Sequence, residues 1–430
     1  MTKSVLTFEY MTGFRCIGPD CEDSCCTGWQ VNLYQEDYYK IRGLHEEQGK
    51  LAFFDDAVQL PPEDQRRPDN FGNLEFGEKA RCCFLDQGWC ALQRDNGETM
   101  LPRVCATFPR AFYNLDDRLE MHGLLACPEV ARLCLLSEKE PEIIEIDEEG
   151  IPTFFEYTTY TAGSPDIYEQ YRDVVAKTVR WVLGRRETPM VERLFQVLYL
   201  SMELESFYFK DMKEDPGPKL EALVRNITNA EFTNDLIQQF HGGGGGMQPI
   251  VRQVVLAIAA APLQGARFRR FQMLSVPIIL SYGELGEHLM KTHDLNVSEQ
   301  NRIWDEYEAR KAKVLDKTGE RVNQYFSNYA ANYWQQGMFH GNTALSDHMR
   351  KFLMSIAAMK FMFFSHPEVQ QAVEQGGDDM NEVLDRVVVD VVQIFMKNID
   401  TNALLIGKLI QTLDNVELTS LNELGMFLKV

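Results

Sequence analysis

The residues of this sequence best suited to chemistry are its ten cysteines, all of which fall between Cys16 and Cys134. They form four groups: Cys16-x4-Cys21-x3-Cys25-Cys26, then Cys82-Cys83-x6-Cys90, then Cys105, and finally Cys127 with Cys134 beyond it. Thiolates are the soft ligands that zinc and iron-sulfur clusters select, and short spacings allow several sulfurs to reach one centre. The pattern therefore predicts a metal-binding module in the first third of the chain.

Disulfide bonds are one alternative for an even number of cysteines. The segment Met1–Tyr10 lacks a charged stretch followed by an apolar one, so it does not resemble a secretion signal. We therefore expect a cytoplasmic protein whose thiols stay reduced and bind metal. Cysteines buried as small apolar residues are a second alternative. Their confinement to the first third of the chain argues against it.

The spacing of the cysteines leaves the identity of the metal open. Eight cysteines are enough for two four-cysteine zinc sites, for one four-iron cluster with the others structural, or for one of each. The Cys-x3-Cys-x2-Cys spacing of radical-type clusters is not met, because Gly28 stands where a cysteine would have to follow Cys21 and Cys25.

The charge and the apolar runs exclude two kinds of partner. A formal net charge of −21 would repel a phosphate backbone, and the densest basic stretch, Arg267-Phe268-Arg269-Arg270, is short. The apolar run Val254–Ala261 is far shorter than the roughly 18 residues of a membrane span. We expect neither nucleic acid nor membrane as a partner, and the sequence does not indicate the oligomeric state.

The composition and the predicted secondary structure change along the chain. Residues 1–137 are rich in Gly, Pro and Asp and show little helical periodicity, whereas residues 138–163 begin with an acidic stretch that resembles a surface connector. After Ser164-Pro165, a helix start signal, apolar residues recur every three or four positions. We predict a mainly α fold, in which an irregular Cys-rich metal-binding N-terminal domain (1–137) and a connector (138–163) precede an all-α helical domain (164–430).

Within the helical domain, His241 and the glycines that follow it predict a loop or hinge over residues 241–246, because glycine is costly in regular structure. The domain shows no GxGxxG, Walker, HExxH or GxSxG motif. The sequence therefore argues against a Rossmann-type site for a nucleotide or for S-adenosylmethionine. We assign its aromatic stretches, Tyr325–Tyr329 and Tyr333-Trp334, to packing.

The cysteine motifs resemble those of the flagellin lysine-N-methylase (FliB) family, whose N-terminal part is similar to YkgJ-type zinc- or iron-chelating domains. The motifs that carry the resemblance are Phe14-Arg15-Cys16, Cys21-x3-Cys25-Cys26-x2-Trp29, Cys82-x-Phe84-Leu85-Asp86 before Cys90, Cys105-x2-Phe108-Pro109-Arg110 and Leu125-Ala126-Cys127-Pro128-Glu129. Weaker likenesses in the helical region are Trp181-Val182-Leu183-x-Arg185-Arg186, Val191-Glu192-Arg193-Leu194 and Asn323-Gln324-Tyr325-Phe326-x-Asn328-Tyr329.

The resemblance implies transfer of a methyl group from S-adenosylmethionine to lysine ε-amines of flagellin, with an iron-sulfur cluster, expected to be 4Fe-4S, held by the family cysteines. Zinc is the alternative metal. Two cysteines depart from the family pattern, since Cys83 stands where the family usually has proline and Cys134 lies past the matching segment. The cysteines that match the family positions are Cys16, Cys21, Cys25, Cys26, Cys82, Cys90, Cys105 and Cys127.

A methylase without a Rossmann site must hold its methyl donor in another way. An iron with an open coordination position could bind the amino and carboxylate groups of the donor, and Arg110 could pair with that carboxylate, a salt bridge to a nearby acid being the alternative for this residue. The acceptor lysine must first lose a proton, for which Asp86, His122 and Glu129 are candidates that the sequence does not rank. The competing functions are a zinc-stapled scaffold without chemistry and a metal-handling or redox protein.

Overall fold

The computed structural model of the chain describes residues 4–28, 30–77, 80–115, 118–147, 157–160, 167–206, 217–243, 249–335 and 345–430. The chain splits into two compact units. The first comprises Met1–Leu133, Glu142–Thr159 and Leu263–Arg270, and the second comprises Cys134–Pro141, Tyr160–Pro262 and Phe271–Val430. Trp29 and the predicted helix start Ser164-Pro165 lie outside the described residues.

In the described parts of the chain, all strands lie between Ser4 and Tyr160. They are β1 (Ser4–Phe8), β2 (Asn32–Leu33), β3 (Val58–Gln59), β4 (Gly72–Leu74), β5 (Leu85–Asp86), β6 (Trp89–Cys90), β7 (Arg110–Leu115), β8 (Arg118–Gly123), β9 (Ile143–Asp147) and β10 (Tyr157–Tyr160). The largest sheet has the order β10-β7-β8-β1-β9, and in it β1 runs parallel to β8 and antiparallel to β9. The other strands form a three-stranded sheet, β2-β4-β3, and the hairpin β5-β6.

The residues predicted as a connector, 138–163, contain two of these strands, β9 and β10. In β9, Ile146 lies opposite Val5 and Ile144 lies opposite Thr7 of β1. β-Branched side chains favour strands, and here they extend an existing sheet by one edge. This part of the acidic stretch is therefore ordered sheet and not a surface connection.

Helices in the first unit are short. They are α1 (Gln35–Glu47), α2 (Leu51–Ala57), α3 (Ala91–Asn96), α4 (Arg103–Thr107) and α5 (Pro128–Leu135), whose last residues fall in the second unit. The first four pack on a core that contains Leu33, Ile41 and Phe54, each with no exposed surface, and that also includes the side chain of Cys82. Isolated helices of this length are marginal in water, so their stability comes from this packing.

The described residues of the second unit are mainly helical. Its helices are α6 (Ile167–Leu183), α7 (Met190–Leu204), α8 (Gly217–Thr228), α9 (Ala230–Gly242), α10 (Pro249–Ala259), α11 (Arg269–Leu280), α12 (Glu284–Thr292), α13 (Val297–Gln335), α14 (Leu345–Ser365), α15 (Pro367–Gln375), α16 (Met380–Phe395), α17 (Ala403–Asn415) and α18 (Leu421–Gly425). The mainly α fold predicted from the sequence is confirmed. None of the helices in the described parts of the chain is both long enough and apolar enough to cross a membrane.

The centre of the second unit is α14, which is buried along nearly its whole length and packs against α7, α10, α13 and α16. The aromatic side chains of α13 meet it there, as the sequence predicted, and the ring of Tyr329 stacks on that of Phe352 at 5.8 Å between centroids. The predicted loop at 241–246 begins later than expected, because His241 and Gly242 still belong to α9. Gly243 caps this helix through a bond from its N–H to the Gln239 carbonyl, and residues 244–246 lie outside the described residues.

One buried amide on α13 binds the C-terminal end of α5. Asn328 has no exposed surface, and its side-chain nitrogen donates to the carbonyls of Cys134, Leu135 and Ser137 at 3.1, 3.2 and 2.9 Å. The last carbonyls of a helix have no partner within the helix, so a buried helix end needs such a donor. Gln324 orients the amide by donating to its oxygen at 2.6 Å.

We predict that Asn328→Leu lowers the free energy of unfolding of the chain by about 1–3 kcal/mol, because the substitution leaves buried carbonyls without a donor. Asn323→Leu is the matched control, since Asn323 is exposed on the same helix. It should change stability by no more than about 0.5 kcal/mol. Denaturant unfolding followed by circular dichroism measures both, and equal effects of the two variants would contradict this role for Asn328.

A candidate metal centre lined by cysteines

A cavity of about 490 Å³ lies in the first unit. This volume is within the range of roughly 300–1,000 Å³ that is usual for small-molecule sites. All ten cysteines of the chain are free thiols. Seven of them line the cavity: Cys16, Cys21, Cys25, Cys26, Cys90, Cys105 and Cys127.

The remaining predicted ligand, Cys82, lies in the core beside this lining. Its backbone N–H donates to the carbonyl of Cys26 at 2.8 Å, and its side chain packs in the same hydrophobic core as Cys90 and Cys105. The structure thus brings together all eight cysteines that the family pattern picked out, although they come from segments more than 100 residues apart. Cys83 packs against the same core, where its thiol hydrogen-bonds with that of Cys82 and lies 3.7 Å from the carbonyl of Ala57. Cys134 belongs to the second unit, and its thiol lies 3.7 Å from the carbonyl of Asn328.

Two glycines hold the first cysteine loop against the hairpin that carries Cys90. Gly18 has a φ of +57°, and a β-carbon added to it would lie 2.5 Å from the ring of Trp89. Gly88 has a φ of +84°, and a β-carbon there would lie 2.9 Å from Pro19. Because loop and hairpin approach so closely at both points, neither position accommodates a larger residue without movement.

The hairpin itself is a tight two-residue turn between β5 and β6. Leu85 pairs with Cys90 and Asp86 pairs with Trp89, which leaves Gln87 and Gly88 as the turn residues. Both have positive φ values, 48° and 84°. Positive φ at both central positions is the pattern of a type I′ turn, whose twist matches that of the strands.

The other two cysteine segments are fixed at the beginnings of helices. Cys105 lies in α4, and the side chain of Asp37, which is 4% exposed, accepts a hydrogen bond from the N–H of Arg103 at 2.9 Å. This bond satisfies one of the free donors at the start of α4. Cys127 directly precedes α5, and its carbonyl accepts the first helical bond, from the N–H of Ala131 at 2.9 Å.

The eight thiols fall into two neighbourhoods. Each thiol of the core set, defined as Cys26, Cys82, Cys90 and Cys105, is an electrostatic neighbour of the other three. All four pack in one hydrophobic core. The rim set, defined as Cys16, Cys21 and Cys127, forms a second group of mutual neighbours, whereas Cys25 interacts with Cys26.

The crowding opposes ionisation of these thiols. A hydrogen bond with Cys25 raises the pKa of Cys26 to about 12, and burial raises the pKa of Cys127 to about 11. Burial also raises the pKa of Cys105 well above its usual range, and the charges of the other core-set thiolates add to this effect. Several thiolates can therefore coexist here when a cation offsets their repulsion.

The potential metal ligands of the cavity lining are mainly thiols. Within the described ranges, no three His, Cys, Asp or Glu side chains are arranged to hold a single metal ion. The cavity lining holds seven thiols and, among the residues described, no histidine, which is a soft set of donors.

Of the three candidate bases, Glu129 is the one that lines the cavity, and Arg132 donates to its carboxylate. Asp86 is exposed on the hairpin and pairs with Arg94 at 2.8 Å. His122 is 3% exposed in β8, between the rings of Phe8 and Tyr113, and is not part of the lining. The local sequence of β8 gave no sign that His122 would be buried in the sheet.

Two acidic residues of the lining, Asp23 and Glu98, were missed by reasoning from the sequence. Asp23 is 8% exposed and lies between Cys21 and Cys25, so its position inside the first motif was the available signal. Glu98 lies in a single helical turn, Glu98–Met100, between two motifs, where nothing in the sequence distinguishes it from other surface acids.

Comparison with known proteins gives one family match. The model of the FliB lysine N-methylase C-terminal domain matches residues 178–427. A lysine-N-methylase of Salmonella choleraesuis is 27% identical over 149 residues, which is 33% of this chain and 34% of that protein. Flagellar biosynthetic protein FliU of Salmonella muenchen is 26% identical over 141 residues, which is 32% of this chain and 79% of that protein.

A lysine-N-methylase of Salmonella typhimurium is similar to the same extent, with 26% identity over 144 residues and 34% of its length covered. The matching segment thus spans about a third of the length of the two lysine-N-methylases. No solved structure matches the chain.

We predict that Gly18→Ala destabilises the first unit more than Gly49→Ala does. Both glycines have positive φ values, +57° and +69°, but an added β-carbon meets the Trp89 ring at Gly18 and nothing within 4 Å at Gly49. Gly49→Ala should cost about 1 kcal/mol of backbone strain. Gly18→Ala should cost about 1–3 kcal/mol more, since it must displace a packed ring. Thermal unfolding measures the difference, and similar losses in the two variants would contradict a tight contact at Gly18.

Proposed function

Because the chain belongs to the FliB lysine N-methylase family, we propose that it transfers a methyl group from S-adenosylmethionine to the ε-amine of protein lysines. We further propose flagellin as the protein substrate and the cytoplasm as the place of the reaction. The names of the relatives, two lysine-N-methylases and a flagellar biosynthetic protein, support this choice. The observation that carries the proposal is the cavity in which seven cysteines from distant segments meet.

We propose that the eight cysteines hold an iron-sulfur cluster, with the core set, the rim set and Cys25 as its available ligands. When bound, such a group supplies iron, which acts as a Lewis acid toward amino and carboxylate groups. The core set encloses its thiols in apolar surroundings with Leu33, Phe84 and Leu101 nearby. The rim set faces the cavity, where a small molecule has room to bind.

We assign the removal of the proton from the acceptor lysine to Glu129. The ammonium of the acceptor lysine gives a proton to the carboxylate of Glu129, and the nitrogen lone pair then attacks the methyl carbon of the sulfonium. The bond from carbon to sulfur breaks with its electron pair on sulfur, which leaves S-adenosylhomocysteine and a methylated amine. Glu129 is assigned this role because it lines the cavity and because Arg132 fixes the position of its carboxylate.

We predict that protein purified without oxygen is brown and contains about four irons for each cluster. Cys90→Ser removes a core-set thiol and should lower the iron content severalfold. Cys134→Ser is the matched control, because Cys134 is fully buried in the second unit and does not line the cavity. Its iron content should equal that of the unchanged protein. Stoichiometric zinc without iron would contradict the cluster and favour a zinc-stapled scaffold.

We predict that the chain transfers labelled methyl groups from S-adenosylmethionine to flagellin, and that Glu129→Gln slows transfer at pH 7 by roughly 100-fold or more. The deficit should shrink toward pH 10, because free lysine, with a pKa near 10.4, then loses its proton without a base. Glu22→Gln is the control, since Glu22 also pairs with Arg132 but lies outside the cavity lining. No transfer by the unchanged protein would refute the proposed function, and a deficit constant with pH would refute the role of Glu129.

A further inference from the structure

Arg110 is a cation that interacts electrostatically with Glu98, an acidic residue of the same cavity lining. It is the first residue of β7, it lines the cavity, and its guanidinium lies 5.2 Å from the centre of the Phe14 ring. Among the described residues it forms neither a hydrogen bond nor an ion pair, although the chain has 64 acidic residues. The salt bridge that was the alternative for this residue is therefore not formed.

The N–H donors of Arg110 have no acceptor among the described residues. Burial lowers the pKa of Arg110, the charge of Glu98 raises it, and the charge of Arg15, which also lines the cavity, lowers it. Arginine nevertheless remains protonated in proteins. A guanidinium that lines a cavity and has no acceptor within hydrogen-bond distance among the described residues is suited to bind an anionic ligand, because the charge of Glu98 acts on it without supplying those hydrogen bonds.

The shape of the cavity limits which anion this is. A guanidinium presents its donors as a planar fork that fits a carboxylate with two parallel hydrogen bonds. The apolar rings of Trp89 and Phe108 also line the cavity and offer surfaces on which a nucleobase can stack. An amino acid joined to a nucleoside carries both groups, a carboxylate and an aromatic base.

We propose that Arg110 binds the α-carboxylate of the methyl donor, and so fixes the donor in the cavity beside the rim set of cysteines. The proposal rests on the proposed function, which supplies the donor, and adds the residue that recognises its amino-acid part. Cys16 and Cys127 of the rim set interact electrostatically with Arg110. A donor carboxylate bound to Arg110 therefore lies next to the rim set. Arg110 is a binding residue, and the bonds that change in the reaction lie elsewhere on the donor.

The test compares two nucleosides that differ in the carboxylate. S-Adenosylhomocysteine carries the amino-acid part and cannot donate a methyl group, whereas 5′-methylthioadenosine lacks the amino-acid part. Calorimetry on the metal-loaded full chain should show that Arg110→Gln weakens binding of S-adenosylhomocysteine roughly 10- to 100-fold, the usual value of a charge-assisted bond. Binding of 5′-methylthioadenosine should change less than about twofold. Arg110→Lys, which keeps the charge without the fork, should give an intermediate loss.

Arg94→Gln is the matched control, because Arg94 is paired with Asp86 and Asp95 on the surface and lies outside the lining. Iron content should be the same in all these variants. Loss of iron in Arg110→Gln, with both nucleosides affected equally, would overturn the proposal by showing that Arg110 serves the cluster. Unchanged binding of S-adenosylhomocysteine in Arg110→Gln would overturn it alone, whereas failure of the unchanged protein to bind either nucleoside would overturn the proposed function as well.

Discussion

The crowding of cysteine thiols is the constraint on which the site in the first unit depends. The core set brings four thiols together in apolar surroundings, where each additional thiolate raises the pKa of its neighbours. Such a group is stable either as neutral thiols or around a cation. In the proposed function, the folding of this unit and the binding of the cluster are therefore coupled, whereas the helical second unit has its own apolar centre in α14.

The strands and helices that bring the cysteine thiols together are short. The strands β5 and β6 have two residues each, and the helix that carries Cys105 has five. Elements of this length do not persist by themselves. They are held by a few specific contacts, such as the carboxylate of Asp37 on the start of α4 and the glycines that allow loop and hairpin to touch. Precision in the site thus comes from loop and turn chemistry more than from regular structure.

The sequence predicted the properties that depend on neighbouring residues. It indicated the cysteine groups, the helical second unit and the packing role of the aromatic residues on α13. It did not indicate the strand β9, whose partner β1 lies about 140 residues earlier in the chain, or the burial of His122 in the sheet. It also could not separate the core set from the rim set, because adjacent cysteines such as Cys25 and Cys26 differ in surroundings that distant segments supply.

The type I′ turn at Gln87-Gly88 restricts the number of residues that can separate Cys82 from Cys90. Side chains alternate between the two faces of a strand, so one residue added to this turn would move Cys90 to the opposite face of the hairpin. Longer turns of other types would also change how closely Pro19 approaches. Among related sequences, the length of this segment should accordingly vary less than that of the long stretch between Cys26 and Cys82. That stretch contains α1, α2 and the three-stranded sheet β2-β4-β3.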